Sequence, residues 1–270
     1  MEKKDLIERN DLESLGKWYL TKAVDFTLES SFGKAYEFIK EGLDLLTCDC
    51  GIGGWRRRFD DYPIEFLNDL EVKVDDKAEY YFVKSFFLIY SDENKEKSLA
   101  LDSIDRYLEL REDEYGIYLK GKILYALGLY QEALEMFEFS RKFSDNPRIK
   151  YRIGRVKEQH LGQFGMDMLF ASFSENPSSS CCVRELMTHT HDNEIKLEVS
   201  ESTSNSLLNF FCRSEAIYEI KFTSMYETYW RNATPVSETA LNEFIAVLKN
   251  NQQHYQVEDE DDFEAEVDYF

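Results

Sequence analysis

The feature that most constrains this chain is a pair of small residues, Gly121 and Ala133, which lie twelve positions apart on either side of Gly128. They belong to residues 114–147, which read EYGIYLKGKILYALGLYQEALEMFEFSRKFSDNP. Glycine interrupts helices, so Gly128 predicts a turn between two of them. A small residue in each helix lets the two backbones approach closely. This segment therefore predicts a tightly packed helical hairpin.

The same pairing of small residues recurs at two earlier places in the chain. Ala23 and Ala35 are also twelve positions apart. Residues 79–112 repeat the pattern with Ser85 in the first helix and Ala100 in the second, and the segment between these helices is longer. Recurrence at a regular period predicts hairpins that stack in series and bury a continuous core.

A fourth copy follows and departs from the pattern. Gly154 lies 33 residues after Gly121, and Gly162 supplies the turn. Asp167 stands where we expect alanine. Because a carboxylate does not pack into a close helix contact, we expect the second helix of this copy to be displaced or shifted in register.

These hairpins resemble the tetratricopeptide repeat, a helical hairpin of about 34 residues. The resemblance covers roughly residues 16–47 and 79–177. It implies an all-α fold, a short right-handed superhelix of hairpins with additional C-terminal helices. The predicted regions are a repeat region over 1–180 with an inserted loop at 48–63, a C-terminal helical extension at 181–251 and an acidic tail at 252–270.

Composition supports the helical prediction and excludes several partners. The chain has only 4 Pro and 12 Gly but 20 Phe and 17 Tyr, which favours long packed helices. Its 32 basic and 53 acidic residues give a net charge of −21. Nucleic acids and anionic membranes repel such a chain, so we expect neither as a partner. The start of the sequence lacks an apolar run and no segment reaches 18 apolar residues, which predicts a cytoplasmic location.

The resemblance also implies a binding surface, because the first helix of each repeat lines a concave groove. Carried over position by position, the groove is aromatic at one end and cationic–aromatic at the other, which suits an acidic peptide with hydrophobic anchors. The predicted groove residues are Phe82, Phe86, Tyr115, Tyr118, Lys122, Tyr125, Arg148, Tyr151, Arg152 and Arg155. The alternative is that the tyrosines only pack between helices and the arginines are solvated or paired with nearby acids.

The inserted loop offers a second candidate contact in Trp55 and Arg57, since Trp and Arg are frequent binding anchors. Here the alternative is that Trp55 packs on the scaffold while Asp60 and Asp61 neutralise the arginines.

Catalytic and metal-binding signals are weak. The sequence lacks the glycine-rich phosphate-binding, zinc-protease and serine-hydrolase motifs. The possible metal ligands are Cys48, Cys50, Cys181, Cys182, His189, His191 and Asp192, whose spacing matches no zinc knuckle. We therefore predict a protein that is not an enzyme and has no metal or cofactor; a metal-dependent hydrolase using His189, His191 and Asp192 is a distant alternative.

Together these features predict a non-catalytic protein–protein interaction module that binds a protein or peptide through its concave groove. The alternative is an acidic stoichiometric inhibitor, of the immunity or antitoxin kind, that covers a basic toxin or nuclease. The cationic–aromatic groove favours the first function, and the strongly acidic net charge favours the second.

Overall fold

The computed structural model describes residues 3–8, 12–47, 67, 70–71, 74–90 and 94–175. Every secondary-structure element assigned in these ranges is a helix, which confirms the all-α prediction. The longer helices in chain order are α1 Lys3–Glu8, α2 Leu12–Leu28, α3 Phe32–Leu45, α4 Lys77–Leu88, α5 Asn94–Leu110, α6 Glu114–Ala126, α7 Tyr130–Arg141, α8 Pro147–His160 and α9 Met166–Glu175. Among these described helices, none has both the length and the apolar character needed to cross a bilayer.

The chain forms two compact units, Met1–Arg152 and Ile153–Phe270, which divide within α8. In the first unit, helices that follow one another in sequence pack in pairs, α2 with α3, α4 with α5 and α6 with α7. Each pair also contacts the next through α3 with α4 and α5 with α6, and α4 contacts α6 directly. The first unit therefore consists of helical hairpins packed in sequence order.

The α6–α7 hairpin shows how local sequence creates this arrangement. The Asp113 carboxylate accepts a hydrogen bond from the Gly116 backbone N–H and so caps the N-terminus of α6. Gly128 ends the helix with φ of +78°, a conformation that glycine adopts without steric cost. A Cβ on Gly121 would lie 2.7 Å from the Phe137 ring, and Ala133 is fully buried. Both predicted small residues thus occupy the contact between the two helices.

The α2–α3 hairpin packs by the same means. Ala23 and Ala35 are fully buried. Two glycines bring the helices still closer, because a Cβ on Gly42 would lie 2.5 Å from the Leu20 side chain and one on Gly16 would lie 2.6 Å from Leu46. The predicted close contact between these helices is therefore present.

In the described part of the second unit, a glycine that the sequence analysis did not predict provides the close contact with Gly154. Gly165 meets Gly154, since a Cβ on Gly165 would lie 2.4 Å from the Gly154 carbonyl oxygen. Leu169 packs on the same glycine. Asp167 lies in the first turn of α9 and is partly exposed. The small residue that faces Gly154 is thus Gly165, and the carboxylate avoids the helix contact.

A buried network of tyrosines joins three helices of the first unit. Tyr36 of α3 and Tyr107 of α5 both donate hydrogen bonds to Asp113 Oδ2, at 3.1 and 2.6 Å. The other carboxylate oxygen, Oδ1, accepts the Gly116 N–H at 2.9 Å and caps α6. Burial and these hydrogen bonds raise the pKa of Tyr107 above its ordinary value, so its hydroxyl stays protonated. One carboxylate therefore connects α3, α5 and α6.

The remaining predicted regions fall largely outside the described residues. These are the inserted loop at 48–63, the helical extension at 181–251 and the acidic tail at 252–270. They stay predictions of the sequence. Leu67 and Leu70, which follow this loop in the sequence, are described and buried.

Ala133→Phe should lower the free energy of unfolding by about 1–3 kcal/mol, because the added ring overpacks a closed helix contact. Glu132→Phe is the matched control, since Glu132 is exposed on the same turn and should change stability by less than about 0.5 kcal/mol. Urea unfolding followed by circular dichroism measures both. Equal stability of the two variants would contradict the packing described for α6 and α7.

Asp113→Ala should lower the free energy of unfolding by about 2–4 kcal/mol, because it removes a helix cap and a charged acceptor for two buried hydroxyls. Asp76→Ala is the matched control. Asp76 caps α4 through the Glu79 N–H at 3.1 Å, and neither Tyr36 nor Tyr107 bonds to it. It should cost only about 1 kcal/mol. If both variants lose the same stability in urea unfolding, the tyrosine network contributes nothing beyond the cap.

Candidate partner-binding surface

Six side chains on α4, α6 and α8 and on the turn after α4 form what we call the cationic–aromatic cluster. Its cations are Lys122 and Arg152, and its aromatic members are Phe86, Tyr90, Tyr125 and Tyr151. Each of the three helices is followed closely in sequence by another helix. All six residues belong to the first unit.

Lys122 occupies the part of the cluster formed by α4 and α6. Its Nζ donates a hydrogen bond to Tyr90 Oη at 2.8 Å. The same nitrogen lies 4.9 Å from the Tyr90 ring centroid and 5.6 Å from that of Phe86, which are cation–π distances. Lys122 is only 4% exposed. Burial, and then the charge of Arg152, hold the pKa of its amine well below the ordinary range.

Arg152 occupies the part of the cluster formed by α6 and α8. Its Cζ lies 5.8 Å from the ring centroids of both Tyr125 and Tyr151. The side chain is 6% exposed. The Arg152 charge is the second cause, after burial, of the lowered pKa of Lys122. The cluster thus concentrates positive charge inside a protein whose net charge is −21.

Arg148 is held by different contacts and forms a second arrangement, the Arg148 ion cluster, with Asp44 and Glu114. Its Nη1 donates to Asp44 Oδ1 at 2.7 Å and to the Leu43 carbonyl at 3.1 Å, and its Nη2 donates to Glu114 Oε1. Arg148 is 2% exposed, whereas the Asp44 side chain is half exposed. The guanidinium therefore joins α3, α6 and α8 and has protein carboxylates as partners.

Tyr115 and Tyr118 complete the surroundings of this guanidinium. The Arg148 Cζ lies 5.1 Å from each ring centroid. The Tyr115 hydroxyl donates to Asp44 Oδ2 at 2.8 Å, and burial together with this carboxylate raises its pKa above the ordinary value. Lys40 lies over the outer side of the same cluster, 5.2 Å from the Tyr115 centroid. These contacts agree with the alternative in which the arginine pairs with nearby acids.

The structure places most of the predicted groove aromatics in the interior. Phe82, Phe86, Tyr118 and Tyr151 are fully buried. Phe82 packs on Tyr36 and Tyr107, at centroid distances of 5.0 and 5.1 Å. Tyr115 and Tyr125 are partly exposed. Most of the predicted aromatic side chains are therefore buried, and a smaller number reach solvent.

Arg155, Trp55 and Arg57 are the remaining predicted contacts. Arg155 belongs to the second unit, where its Nε donates to Gln159 Oε1 at 2.8 Å. Burial and the Arg155 charge lower the pKa of the neighbouring His160 to about 4. Trp55 and Arg57 fall outside the described residues.

Some residues of the two clusters were not predicted from the sequence. Tyr90 follows Phe86 by four positions, which is one helical turn. The i, i+4 spacing of the predicted groove residues, continued for one more turn, would have identified it. Asp44 is 104 residues from Arg148, and no local pattern connects the two. Glu114 carries no signal beyond an acid at a helix start, where acids are common.

An open cleft of about 400 Å³ also lies among the described residues. Its lining residues are Ser30, Ser31, Phe32, Gly33, Lys34, Leu70, Val74, Asp75 and Glu79. Burial, and then the charges of Asp76 and Glu37, raise the pKa of Glu79, while Arg111 lowers it. The cleft therefore combines an apolar wall with closely spaced carboxylates.

Within the described residues, no three or more histidine, cysteine, aspartate or glutamate side chains are grouped as a metal site requires. The candidate ligands Cys48, Cys50, Cys181, Cys182, His189, His191 and Asp192 all lie outside the described residues.

Arg148→Ala should lower the free energy of unfolding by about 3 kcal/mol, because Glu114 would keep a largely buried carboxylate without its cation. Arg141→Ala is the matched control. Arg141 pairs with Asp145 on the surface at 2.6 Å, and its loss should cost at most about 1 kcal/mol. Thermal and urea unfolding compare the two. Similar losses would show that the Arg148 ion cluster contributes no more than a surface pair.

No family model matches this chain, and neither a curated protein nor a solved structure matches it. Its function is therefore inferred from the contacts and charges of its own side chains.

Proposed function

We propose that this protein is a non-catalytic protein–protein interaction module that binds an acidic peptide segment at the cationic–aromatic cluster. The observation that carries the proposal is that Lys122 lies over the Phe86 and Tyr90 rings and Arg152 over the Tyr125 and Tyr151 rings, each at a cation–π distance. Aromatic and arginine side chains are the residues that most often anchor protein interfaces.

The chemistry of the cluster defines the partner. A carboxylate of the partner suits the donor groups of Lys122 and Arg152, because hydrogen bonds between a carboxylate and a charged donor are among the strongest in proteins. The rings beside them suit an apolar or aromatic side chain next to that carboxylate. Tyr125, which is partly exposed, gives the peptide its first contact.

Because several side chains of the cluster are buried, a ligand can reach them only after the side chains that cover them have moved. Lys122 and Arg152 are 4% and 6% exposed. A surface that must open before it binds has a lower apparent affinity, in proportion to the fraction of molecules that are open. Binding is therefore expected to be slow and to depend on the partner's aromatic anchors.

We also propose that the hairpins are degenerate tetratricopeptide-like repeats and that the protein acts in the cytoplasm. The contacts of Gly121 with Phe137 and of Gly154 with Leu169 support the first, because equivalent small residues 33 positions apart pack on the second helix of their hairpins. The odd number of five cysteines supports the second, since reduced thiols persist in that compartment.

The acidic-inhibitor function is a second proposal, and the open cleft favours it. Asp75 and Glu79 line the cleft beside the apolar Leu70 and Val74, which suits a lysine or arginine side chain of a basic partner. The net charge of −21 would accelerate association with such a partner.

Salt distinguishes the two proposals. Charges in solution are screened beyond about 8 Å at physiological ionic strength. Association with a basic partner should therefore slow as salt is added. Association with an acidic peptide should not slow, because salt screens the repulsion between two negatively charged molecules.

Tyr125→Ala should weaken binding of a fluorescein-labelled peptide of alternating glutamate and phenylalanine by about five- to tenfold, because one aromatic contact is lost. Phe143→Ala is the matched control, since Phe143 is 51% exposed and lies after α7, away from the cluster residues in sequence. Fluorescence anisotropy measures the dissociation constants, and melting curves confirm that both variants are folded. The glutamine version of the peptide should bind more weakly to the wild-type protein. Equal binding of both peptides, or equal effects of the two substitutions, would exclude the cluster as the binding surface.

A further inference from the structure

Four aromatic side chains of the first hairpin form a continuous group that we call the α2–α3 patch. Its members are Trp18, Tyr19, Phe26 and Phe38. The Phe38 ring is central, with its centroid 6.2 Å from that of Trp18, 5.3 Å from that of Tyr19 and 4.9 Å from that of Phe26. Each of these side chains is partly exposed. Grouped aromatic rings that remain in contact with water are typical anchors of protein interfaces, because each ring buries a large area on binding.

Two lysine amines of the same chain lie on the α2–α3 patch. The Lys3 Nζ is 4.6 Å from the Tyr19 ring centroid and 5.6 Å from that of Trp18, and it donates a hydrogen bond to Tyr19 Oη at 2.7 Å. The Lys34 Nζ is 5.4 Å from the Phe26 ring centroid. The face of an aromatic ring is electron-rich, so it attracts an ammonium or guanidinium group and repels a carboxylate. These contacts indicate that the patch accepts cations.

Lys3 is held at the patch by contacts that another cation can replace. It is the first residue of α1, which has only six residues. A helix this short is not stable by itself, so its position depends on what it packs against. Leu6 of this helix is buried, whereas Ile7 is 55% exposed. The Lys3 side chain can therefore leave the rings at a small cost in packing.

We propose that the α2–α3 patch binds a lysine or arginine side chain of a basic protein partner, and that Lys3 occupies the Trp18–Tyr19 part of this site until the partner displaces it. The cation of the partner takes the position over the two rings. Its aliphatic stem covers the exposed part of the neighbouring Phe38 ring. The net charge of −21 attracts such a partner.

This inference rests on the second function proposed above, in which the partner is basic, and it gives that partner an anchor besides the open cleft. The cleft supplies carboxylates, from Asp75 and Glu79, whereas the patch supplies ring faces. The two surfaces therefore recognise cationic side chains by different interactions, and substitutions can test them separately.

Lys3 regulates how tightly the partner binds. Because it belongs to the same chain, it competes with the partner at a high effective concentration. The apparent dissociation constant rises as the fraction of molecules with free rings falls. A guanidinium is planar, stacks on aromatic faces and is more weakly hydrated than an ammonium group. We therefore expect arginine to displace Lys3 more readily than lysine does.

The experiment uses the full-length protein and a fluorescently labelled peptide of alternating arginine and serine. Peptides with lysine or with uncharged citrulline in place of arginine are compared with it. Fluorescence anisotropy at low salt measures the dissociation constants of wild type, Lys3→Met, Lys22→Met, Trp18→Leu and Glu79→Gln, and circular dichroism confirms that each is folded. Lys22→Met is the matched control for charge, because the Lys22 amine pairs with Asp25 Oδ2 at 2.9 Å and its loss removes the same single charge.

Lys3→Met should bind the arginine peptide about three- to fivefold more tightly than Lys22→Met does, since the cation–π contacts of Lys3 no longer have to be displaced. Trp18→Leu should bind it about fivefold more weakly than wild type, because a ring face is lost. The lysine peptide should bind wild type more weakly than the arginine peptide, and the citrulline peptide should bind most weakly.

Equal affinities of Lys3→Met and Lys22→Met would overturn the proposal, and so would unchanged binding by Trp18→Leu. If Trp18→Leu does not fold, the comparison of the two lysine variants decides. Weaker binding by Glu79→Gln together with unchanged binding by Trp18→Leu would leave the basic-partner function in place and remove the patch from it. If folded wild type does not bind the arginine peptide, both proposals fail.

Discussion

The arrangement of helices in the first unit depends on the hydrogen bonds that the Asp113 carboxylate accepts. One oxygen caps α6, and the other accepts the hydroxyls of Tyr36 and Tyr107 from α3 and α5. Aspartate is one of the residues favoured as a helix cap, and where it is partly buried its second oxygen also needs hydrogen-bond donors. The two tyrosines meet that need and, in doing so, hold helices from three hairpins in register.

The packing around this carboxylate is correspondingly tight. A Cβ on Gly116 would lie 2.4 Å from the Tyr107 ring, so the ring can reach Asp113 only because residue 116 lacks a side chain. Phe82 fills the space between Tyr36 and Tyr107. Hydrogen bonding and close packing thus support each other here, which is why a polar network can be accommodated within an apolar core.

Two groups of buried basic side chains follow from this framework, and they differ in their described contacts. Arg148 has Asp44 and Glu114 as counter-ions and joins helices, which is a structural role. The described contacts of Lys122 and Arg152 are with aromatic rings. Burial holds the pKa of Lys122 well below its ordinary value, and ionisable groups with strongly shifted pKa values occur often at functional sites.

The sequence by itself determined the all-α class, the α2–α3, α4–α5 and α6–α7 hairpins and the turn at Gly128. These features depend on the spacing of small residues and on helix-breaking glycines, which act over a few turns of chain. Tertiary structure alone decided that Phe82 and Tyr118 lie in the interior, that Arg148 pairs with an aspartate 104 residues away, and that Gly165 faces Gly154. The physical reason is that a periodic pattern identifies which residues share a helix face. Which distant side chain meets that face, and how much water remains there, depends on how the helices pack against one another.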